Sequence, residues 1–253
     1  MPGHLTVTDQ DATRFIMLQR PEKKNALTQG MYRMMSDAID AAQEDSSIRC
    51  LVITGSNGIF TAGNDLEDFM KAGIAQGSMP RETTATQFLY ALANNTKPLI
   101  AAVDGLAIGI GTTMLFHCDY VVATTNASFS TPFVKLGLVP EGASSLLMPH
   151  SLGHHRAFEA LVMGRSIDAE AARIAGFVNQ VVAPDQLEQA TRKVAAEICA
   201  LPAEAVAISR SLLRPAPDEI TRRIDEEGQL FSERMRSKEA MAAFTQFFSR
   251  KRG

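Results

Sequence analysis

The sequence predicts an α/β fold in which helices cover a largely parallel sheet and a helical portion follows. Up to about residue 150, short apolar runs that suit buried strands alternate with segments of helical periodicity, and from Ser151 onward the pattern is mostly helical. Alternating strands and helices favour a parallel sheet with helices on its faces. In the chain of 253 residues we therefore expect a core over residues 1–200 and a helical oligomerisation region over residues 201–253.

Composition and charge argue against several classes of protein. Apolar residues make up 45% of the chain, charged residues 21%, and the formal net charge is -3. These values are ordinary for a soluble globular protein, so neither nucleic acid nor a membrane is expected as a partner. The N-terminus lacks the pattern of a signal peptide, and the C-terminus is not a peroxisomal Ser-Lys-Leu signal. We expect a cytoplasmic protein in which Cys50, Cys118 and Cys199 are reduced thiols.

The first half of the chain predicts strands separated by two helices. Apolar residues at spacings of three and four from Met31 to Ala42 form one helical face, and Thr28 can cap that helix. Residues 83–93 have a helical pattern as well. The continuous apolar run Cys50–Thr54 is typical of a buried parallel strand. The predicted strands are residues 14–18, 50–54, 98–103 and 119–123.

The second half predicts mainly helices with recognisable ends. Asp168 can cap a helix that Gly176 terminates, and prolines open the helices at Pro184 and Pro202. The last two helices carry more apolar residues than a peripheral helix needs, so part of their surface is expected to pack on a neighbouring subunit. The predicted helices cover residues 154–163, 169–175, 184–199, 202–213, 218–236 and 238–248, with a strand over residues 177–182.

Two glycine-punctuated turns, each leading into a helix, carry the main chemical signal. The first lies in residues 60–66 and contains Gly63; the second lies in residues 109–111. For the first segment taken alone, a tight strand-to-helix turn is the simpler explanation. Glycine also permits backbone conformations that expose the next N–H group, here that of Asn64. Two such groups, one of them near Ile110, could converge on one oxygen and stabilise an oxyanion.

Glu141 is the candidate proton carrier. It is an ionisable residue within a run of apolar residues that includes Leu138 and Leu147. Apolar surroundings raise the pKa of a carboxyl group and make its anion a stronger base. Residues 71–81, which contain Gly73, Gly77, Ser78 and Pro80, are a candidate flap over the site.

Other kinds of site have little support in the sequence. His150, His154 and His155 have no cysteine or carboxylate cluster at metal-ligand spacing, so we expect surface or helix-cap histidines and no metal. The glycines of residues 105–111 fit neither a P-loop nor a dinucleotide fingerprint. Ser144 is not in a Gly-x-Ser-x-Gly elbow, which argues against a serine hydrolase.

At these segments the sequence resembles the enoyl-CoA hydratase/isomerase (crotonase) family. The resemblance covers residues 20–27, 60–66, 104–111, 118–119 and 132–142, and the helical C-terminal portion fits too. It implies a crotonase-like spiral of ββα units with a helical C-terminal trimerisation region, in a homotrimer or a hexamer. It also implies an acyl-CoA thioester as the substrate partner. Coenzyme A is then part of the substrate, and no separate cofactor is required.

The resemblance assigns roles to residues by their position in the motifs. The oxyanion hole falls on the N–H groups of Asn64 and Ile110. The remaining contacts to the substrate, including those to the adenine and phosphates of coenzyme A, fall on Lys23, Lys24, Ala26, Ala62, Gly63, Asp65, Leu66 and Gly111.

Departures from the family pattern favour one reaction. Hydratases of this family have two catalytic glutamates, and the corresponding positions here are Thr113 and Phe133, neither of which can activate water. Glu141 instead takes the place of the catalytic glutamate of Δ3,Δ2-enoyl-CoA isomerases, and the aliphatic Ile110 is similar to that branch. We expect an isomerase that uses Glu141 as its single base. The alternatives are an enoyl-CoA hydratase, a hydrolase or dehalogenase with Glu141 as nucleophile, and a non-catalytic acyl-CoA-binding protein.

Overall fold

A computed structural model describes residues 3–68 and 83–250, so the candidate flap over residues 71–81 lies outside the described part. The described residues form nine strands: β1 Leu5–Gln10, β2 Thr13–Leu18, β3 Cys50–Thr54, β4 Leu99–Val103, β5 Leu106–Ile108, β6 Tyr120–Thr124, β7 Ser128–Ser130, β8 Ile167–Asp168 and β9 Gln180–Val182. The α-helices labelled here are α1 Gln29–Glu44, α2 Thr84–Asn94, α3 Ile110–Thr113, α4 Ser144–Leu152, α5 His154–Leu161, α6 Ala169–Ala175, α7 Leu187–Ala200, α8 Ala203–Leu213, α9 Pro217–Met235 and α10 Lys238–Arg250. Residues 66–68 are also helical. Single 3-10 turns lie at Pro21–Lys23, Met114–His117, Val134–Leu136 and Pro184–Gln186.

The larger sheet confirms the predicted α/β class. Its described strands are arranged in the order β1-β2-β3-β4-β6-β9, and every neighbouring pair is parallel except β1 with β2. Strand β4 is buried along its whole length and β3 along all but Thr54. Apolar runs of this kind suit strands with both faces covered. β1 was not predicted, because four of its six residues are exposed and most of those four are polar.

A smaller sheet and helix α4 were missed by the sequence patterns. The strands β5, β7 and β8 form a second sheet, but each has only two or three residues. Helix α4 begins at Ser144, ahead of the predicted start of the helical portion at Ser151. Pro149 lies inside α4, where proline normally ends a helix, and it therefore obscures the pattern.

Most helix boundaries agree with those predicted from the sequence. The strand predicted over residues 177–182 is the main error, because its first half belongs to the end of a helix. Asp168 caps α6 by accepting from the Ala171 N–H, and Gly176 ends it in the left-handed conformation. The next two N–H groups, at residues 177 and 178, still bond back to the Ala172 carbonyl. They belong to the end of the helix, so the strand shortens to Gln180–Val182.

The C-terminal helices complete the same hydrophobic core as the sheet. Ile220, Ile224 and Phe244 are buried and belong to one cluster with residues of β2, β3 and α1. They therefore face inward, whereas Leu230 and Met241 of the same two helices are exposed. The expectation that part of this surface packs on a neighbouring subunit stays a prediction. Among the described residues, the most exposed large apolar side chains lie on α8, where Leu212 and Leu213 are each 82% exposed. None of the described helices has both the length and the apolar character needed to cross a bilayer.

Candidate active site

Hydrogen bonds between Thr61 and the β5 segment hold the two glycine turns side by side. The Thr61 N–H donates to the Leu106 carbonyl at 2.9 Å, and the Ile108 N–H donates to the Thr61 carbonyl at 3.0 Å. A Cβ atom added to Gly63 would lie 2.6 Å from the Ile108 carbonyl oxygen and 3.9 Å from the Gly109 nitrogen. The structure therefore brings together the two segments that the sequence singled out.

Each turn leaves the N–H group that follows its glycine without an acceptor among the described residues. Gly63 has a φ of 84° and Gly109 a φ of 57°, a region that other residues rarely adopt. In the part of the chain that the structure describes, neither the Asn64 N–H nor the Ile110 N–H donates a hydrogen bond. Ile110 is the first residue of α3, where N–H groups have no acceptor within the helix. Two donors without an acceptor on adjacent turns are what stabilisation of an oxyanion requires.

Glu141 is anchored to the helix that begins at Ile110. The Thr113 hydroxyl, at the end of α3, donates a hydrogen bond of 2.6 Å to Glu141 Oε1. Glu141 keeps some accessible surface, while its carboxyl group is enclosed by protein. Burial raises the pKa of Glu141 to about 8, the Thr113 hydrogen bond opposes this effect, and the negative charge of Glu227 adds to it. A carboxyl group with a pKa near neutrality is suited both to accept and to return a proton.

Tyr32 supports the Asn64 side of the site, a role that the sequence did not suggest. This residue is fully buried in α1, and its hydroxyl donates a hydrogen bond of 2.6 Å to Asn64 Oδ1. Burial raises the pKa of Tyr32 well above its usual value, and the charge of Glu141 raises it further. The phenol is therefore neutral and close enough to Glu141 to sense its charge. The helical spacing had placed its neighbours Met31 and Met35 in the core without singling out its hydroxyl.

The predicted coenzyme A loop lies directly against the first glycine turn. The Ala62 N–H donates to the Lys24 carbonyl, and the Leu27 N–H donates to the Gly63 carbonyl, at 2.9 and 2.8 Å. The loop thus brings Ala26 and the exposed side chains of Lys23 and Lys24 close to the Asn64 turn.

Asp65 and Leu66 have contacts that restrict their predicted roles. The Asp65 carboxylate forms an ion pair of 2.7 Å with Arg20, whose guanidinium also donates to the Ala26 carbonyl at 3.0 Å. This ion pair ties the loop to the turn. Leu66 is partly buried against the hydrophobic core. The carboxylate of Asp65 therefore has a structural partner, while its backbone follows the Asn64 turn.

Gly111 and Phe133 shape the other side of the site. A Cβ atom at Gly111 would lie 2.5 Å from Thr61 Cγ2, so only glycine fits between α3 and Thr61. Phe133 is buried and packs edge to face on Phe231 of α9, with ring centroids 6.4 Å apart. One ring edge lies 3.9 Å from the position of a Cβ at Gly109. An apolar ring thus occupies the position that carries a glutamate in the hydratase pattern.

His117 holds the loop that carries Glu141. It is fully buried, and its Nε2 lies 2.8 Å from the Gly142 carbonyl oxygen. Burial lowers the pKa of His117 to about 4, so the ring is neutral at physiological pH and Nε2–H is the donor. The three histidines at residues 150, 154 and 155 are exposed, as expected. Within residues 3–68 and 83–250, no group of three metal-ligating side chains is present.

Together, these features define a class of α/β protein that places two backbone N–H donors beside a buried carboxylate. The chain belongs to the enoyl-CoA hydratase/isomerase family, which it matches over residues 8–252.

Two relatives and one solved structure define the similarity further. The chain is 36% identical to enoyl-CoA delta isomerase 2 of Homo sapiens, over 98% of this chain and 64% of that protein's length. It is 34% identical to 2,3-dehydroadipyl-CoA hydratase of Escherichia coli, over 72% of this chain and 71% of the relative. The crystal structure of an enoyl-CoA hydratase/isomerase from Pseudoalteromonas atlantica matches with a TM-score of 0.91 and 35% identity, covering 98% of this chain and 97% of the other. This similarity confirms the crotonase-like fold.

Proposed function

We propose that the protein is an enzyme that isomerises 3-enoyl-CoA thioesters to 2-enoyl-CoA thioesters. The observation that carries the proposal is the partly buried Glu141, held by Thr113 at the end of the short helix whose first N–H, that of Ile110, has no acceptor among the described residues. The similarity to a relative named enoyl-CoA delta isomerase 2 supports the same reaction. Isomerisation needs one proton carrier and a site for an oxyanion, and this arrangement can supply both.

In the proposed mechanism, Glu141 removes a proton from C2 of the acyl chain. Negative charge then develops on the thioester oxygen, which accepts hydrogen bonds from the Asn64 and Ile110 N–H groups. Protonated Glu141 returns the proton at C4, and the double bond moves to the 2-position. A positioned base contributes about 10²–10⁴-fold to such a step, and one donor of an oxyanion hole about 10²–10³-fold.

Binding of coenzyme A is proposed for the loop around Lys23 and Lys24. Both side chains are exposed and positively charged, and hydrogen bonds hold their backbone beside Ala62 and Gly63. The negatively charged phosphates of coenzyme A bind favourably to positively charged side chains. The thioester carbonyl group at the other end of the substrate would instead bind the uncharged N–H groups of Asn64 and Ile110. The acidic Asp65 is neutralised by Arg20 and therefore opposes phosphate binding less than a lone carboxylate would.

Turnover of 3-hexenoyl-CoA by the purified chain tests this function. We expect isomerisation by the wild type and a loss of about 10²–10⁴-fold in kcat for Glu141→Gln. Glu204→Gln, which removes a charge from an exposed position on α8, is the matched control and should keep full activity. The proposal is wrong if the wild type does not turn over 3-enoyl-CoA, or if Glu141→Gln remains fully active.

Hydration is the second candidate, because a relative with 34% identity is named a hydratase. Thr113 and Phe133 cannot supply the carboxylates that water activation needs in the hydratase pattern. We therefore expect little hydration of crotonyl-CoA compared with isomerisation of 3-hexenoyl-CoA. Hydration that exceeds isomerisation would favour this second candidate.

Isotopes separate a base from a nucleophile at Glu141. If Glu141 is a base, the acyl chain acquires deuterium at C2 or C4 in heavy water. If Glu141 attacks the substrate, as in a hydrolase or dehalogenase, single turnover in H₂¹⁸O leaves oxygen-18 in its carboxyl group. A chain that binds acyl-CoA but shows none of these reactions would be a binding protein without catalysis.

A further inference from the structure

The first turn of α4 has no cap of its own. Helix α4 begins three residues after Glu141, and the intervening Ala143 has a φ of 56° and contributes no capping side chain. The first N–H groups of a helix need acceptors from elsewhere, and the left-handed region is strained for alanine. The Ser144 N–H donates to the Glu141 carbonyl at 3.2 Å, so the Ser145 N–H is the group at the start of α4 that needs an acceptor from another part of the chain.

Glu227, on the C-terminal helix α9, supplies the missing acceptor. Its Oε1 accepts a hydrogen bond of 2.8 Å from the Ser145 N–H, and the residue is only 5% exposed. One turn earlier on α9, Arg223 donates a hydrogen bond of 3.0 Å to Ser145 Oγ. Two side chains of α9 thus hold the start of α4 from outside.

Glu227 is also coupled to Glu141 by charge. Burial raises the pKa of Glu227, while hydrogen bonds from the Ser145 and Ala143 segment and the charge of Arg223 favour its anion. Glu141 has the hydrogen bond from Thr113, which favours its anion, while the negative charge of Glu227 raises the pKa of Glu141. A change in the charge of Glu227 therefore acts on the ionisation of Glu141.

Other charged and titratable groups lie around Glu227 and Glu141. Arg223 faces Glu227 from the same helix, and its guanidinium also pairs with Glu226 at 3.1 Å. Tyr32 of α1 faces Glu141 and is neutral. Helix α2 packs against α9, and its Tyr90 hydroxyl donates a hydrogen bond to the Asp225 carboxylate of α9.

We propose that Glu227 is a positioning residue for Glu141, because it holds the start of α4 and keeps a negative charge close to the Glu141 carboxyl group. When Glu141 accepts a proton, the repulsion between the two carboxylates disappears, so Glu227 favours proton removal from the substrate. The catalytic part of this inference rests on the proposed isomerase function. The effect of Glu227 on the ionisation of Glu141 is present whichever reaction the enzyme performs.

Two variants separate the charge of Glu227 from its contact with α4. Glu227→Gln keeps an oxygen that accepts from the Ser145 N–H but removes the charge, and Glu227→Asp keeps the charge on a shorter side chain. We expect Glu227→Gln to move the acidic limb of the kcat/KM profile down by about one pH unit. Glu227→Asp should leave the pH of the acidic limb unchanged, because the charge is kept. It should lower kcat, because the shorter side chain holds the start of α4 less well. Glu233→Gln, at an exposed position on α9, is the control and should change neither quantity.

A titration without substrate keeps this inference separate from the isomerase proposal. Protein labelled with ¹³C at the glutamate carboxyl groups is titrated by NMR, and Glu141 is assigned by the loss of its signal in Glu141→Gln. We expect a lower midpoint for Glu141 in Glu227→Gln and a midpoint near that of the wild type in Glu227→Asp. An unchanged midpoint in folded Glu227→Gln would overturn the inference. A shifted midpoint in a chain that does not turn over 3-hexenoyl-CoA would instead reject the isomerase and keep the role of Glu227.

Discussion

The Thr113 hydroxyl donates a hydrogen bond to the Glu141 carboxylate across 2.6 Å. Because this bond favours the anion, Thr113→Val should raise the pKa of Glu141 above its value of about 8. The acidic limb of the kcat/KM profile should move to higher pH, and activity at neutral pH should fall about tenfold for each pH unit that the limb moves. Thr113→Ser keeps a hydroxyl and should retain the wild-type profile. Coincident profiles for wild type and Thr113→Val would contradict this account.

The raised pKa of Glu141 predicts how stability depends on pH. Folding raises this pKa from 4.5 to about 8, so between these values the native state holds a proton that the unfolded chain has released. Stability must therefore fall as pH rises through this window. Glu141→Gln removes the effect, and its Tm should exceed that of the wild type near pH 8 but match it below about pH 4. Thermal unfolding at both pH values, with Glu204→Gln as control, measures the difference; a gain in Tm that does not depend on pH would refute the explanation.

Removing the Tyr32 hydroxyl should weaken catalysis without weakening binding. Tyr32→Phe loses the hydrogen bond to Asn64 Oδ1 and so releases the side chain of the residue that carries one of the two proposed oxyanion donors. The loss of one such bond corresponds to about a three- to tenfold decrease in kcat, with little change in KM. Tyr120→Phe, at the start of β6 and away from this hydrogen bond, is the control. A change confined to KM would indicate a role in substrate binding instead.

Replacing Gly63 should damage stability and catalysis together. A Cβ atom there would lie 2.6 Å from the Ile108 carbonyl oxygen, and the φ of 84° is unfavourable for alanine. Gly63→Ala is expected to lose about 1–3 kcal/mol of stability and most of its activity, because the Asn64 turn must move. Gly30→Ala in α1 is the matched control, since its nearest neighbour would be 3.9 Å away. Chemical denaturation and kcat/KM of both variants provide the comparison, and a fully active Gly63→Ala would show that the turn is not part of the site.

Exposed leucines on α8 predict where subunits associate. Leu212 and Leu213 are each 82% exposed on the single chain, which is unfavourable for apolar side chains in water. We expect the wild type to sediment as a trimer or a hexamer and Leu212→Ser/Leu213→Ser to sediment as smaller species. Leu230→Ser on α9 tests whether the surface that the sequence suggested also contributes. A monomeric wild type at micromolar concentration would contradict the expectation.

The sequence predicted the large elements because their patterns are long enough to be distinctive. The apolar run of β3, the helical spacing of α1 and the Asp168 and Gly176 ends of α6 all appear where expected. The second sheet could not be found, since strands of two or three residues have no periodicity. Helix α4 was obscured by Pro149, whose position inside a helix contradicts the usual preference.

The sequence also indicated which turns and which acid to examine, but not their partners. Gly63, Gly109 and Glu141 carry recognisable local signals in the sequence. The contacts of Glu141 with Thr113 and of Ser145 with Glu227 join residues that are 28 and 82 positions apart. No local pattern specifies such pairs, because they depend on how α3, α4 and α9 meet in the folded chain.

The hydrogen bonds that join Thr61 to Leu106 and Ile108 involve only backbone atoms. The threonine hydroxyl adds one contact, because it accepts a hydrogen bond of 3.1 Å from the Gly63 N–H. These hydrogen bonds do not depend on which side chains line the rest of the site. The polarising half of the site is thus set mainly by backbone atoms, and Thr113, at the end of the helix that Ile110 begins, connects it to the half that handles protons, where Phe133 and Glu141 also lie. Exchanging the side chains at positions 113, 133 and 141 while keeping the backbone of the two glycine turns is therefore a route to altering the reaction of this scaffold by design.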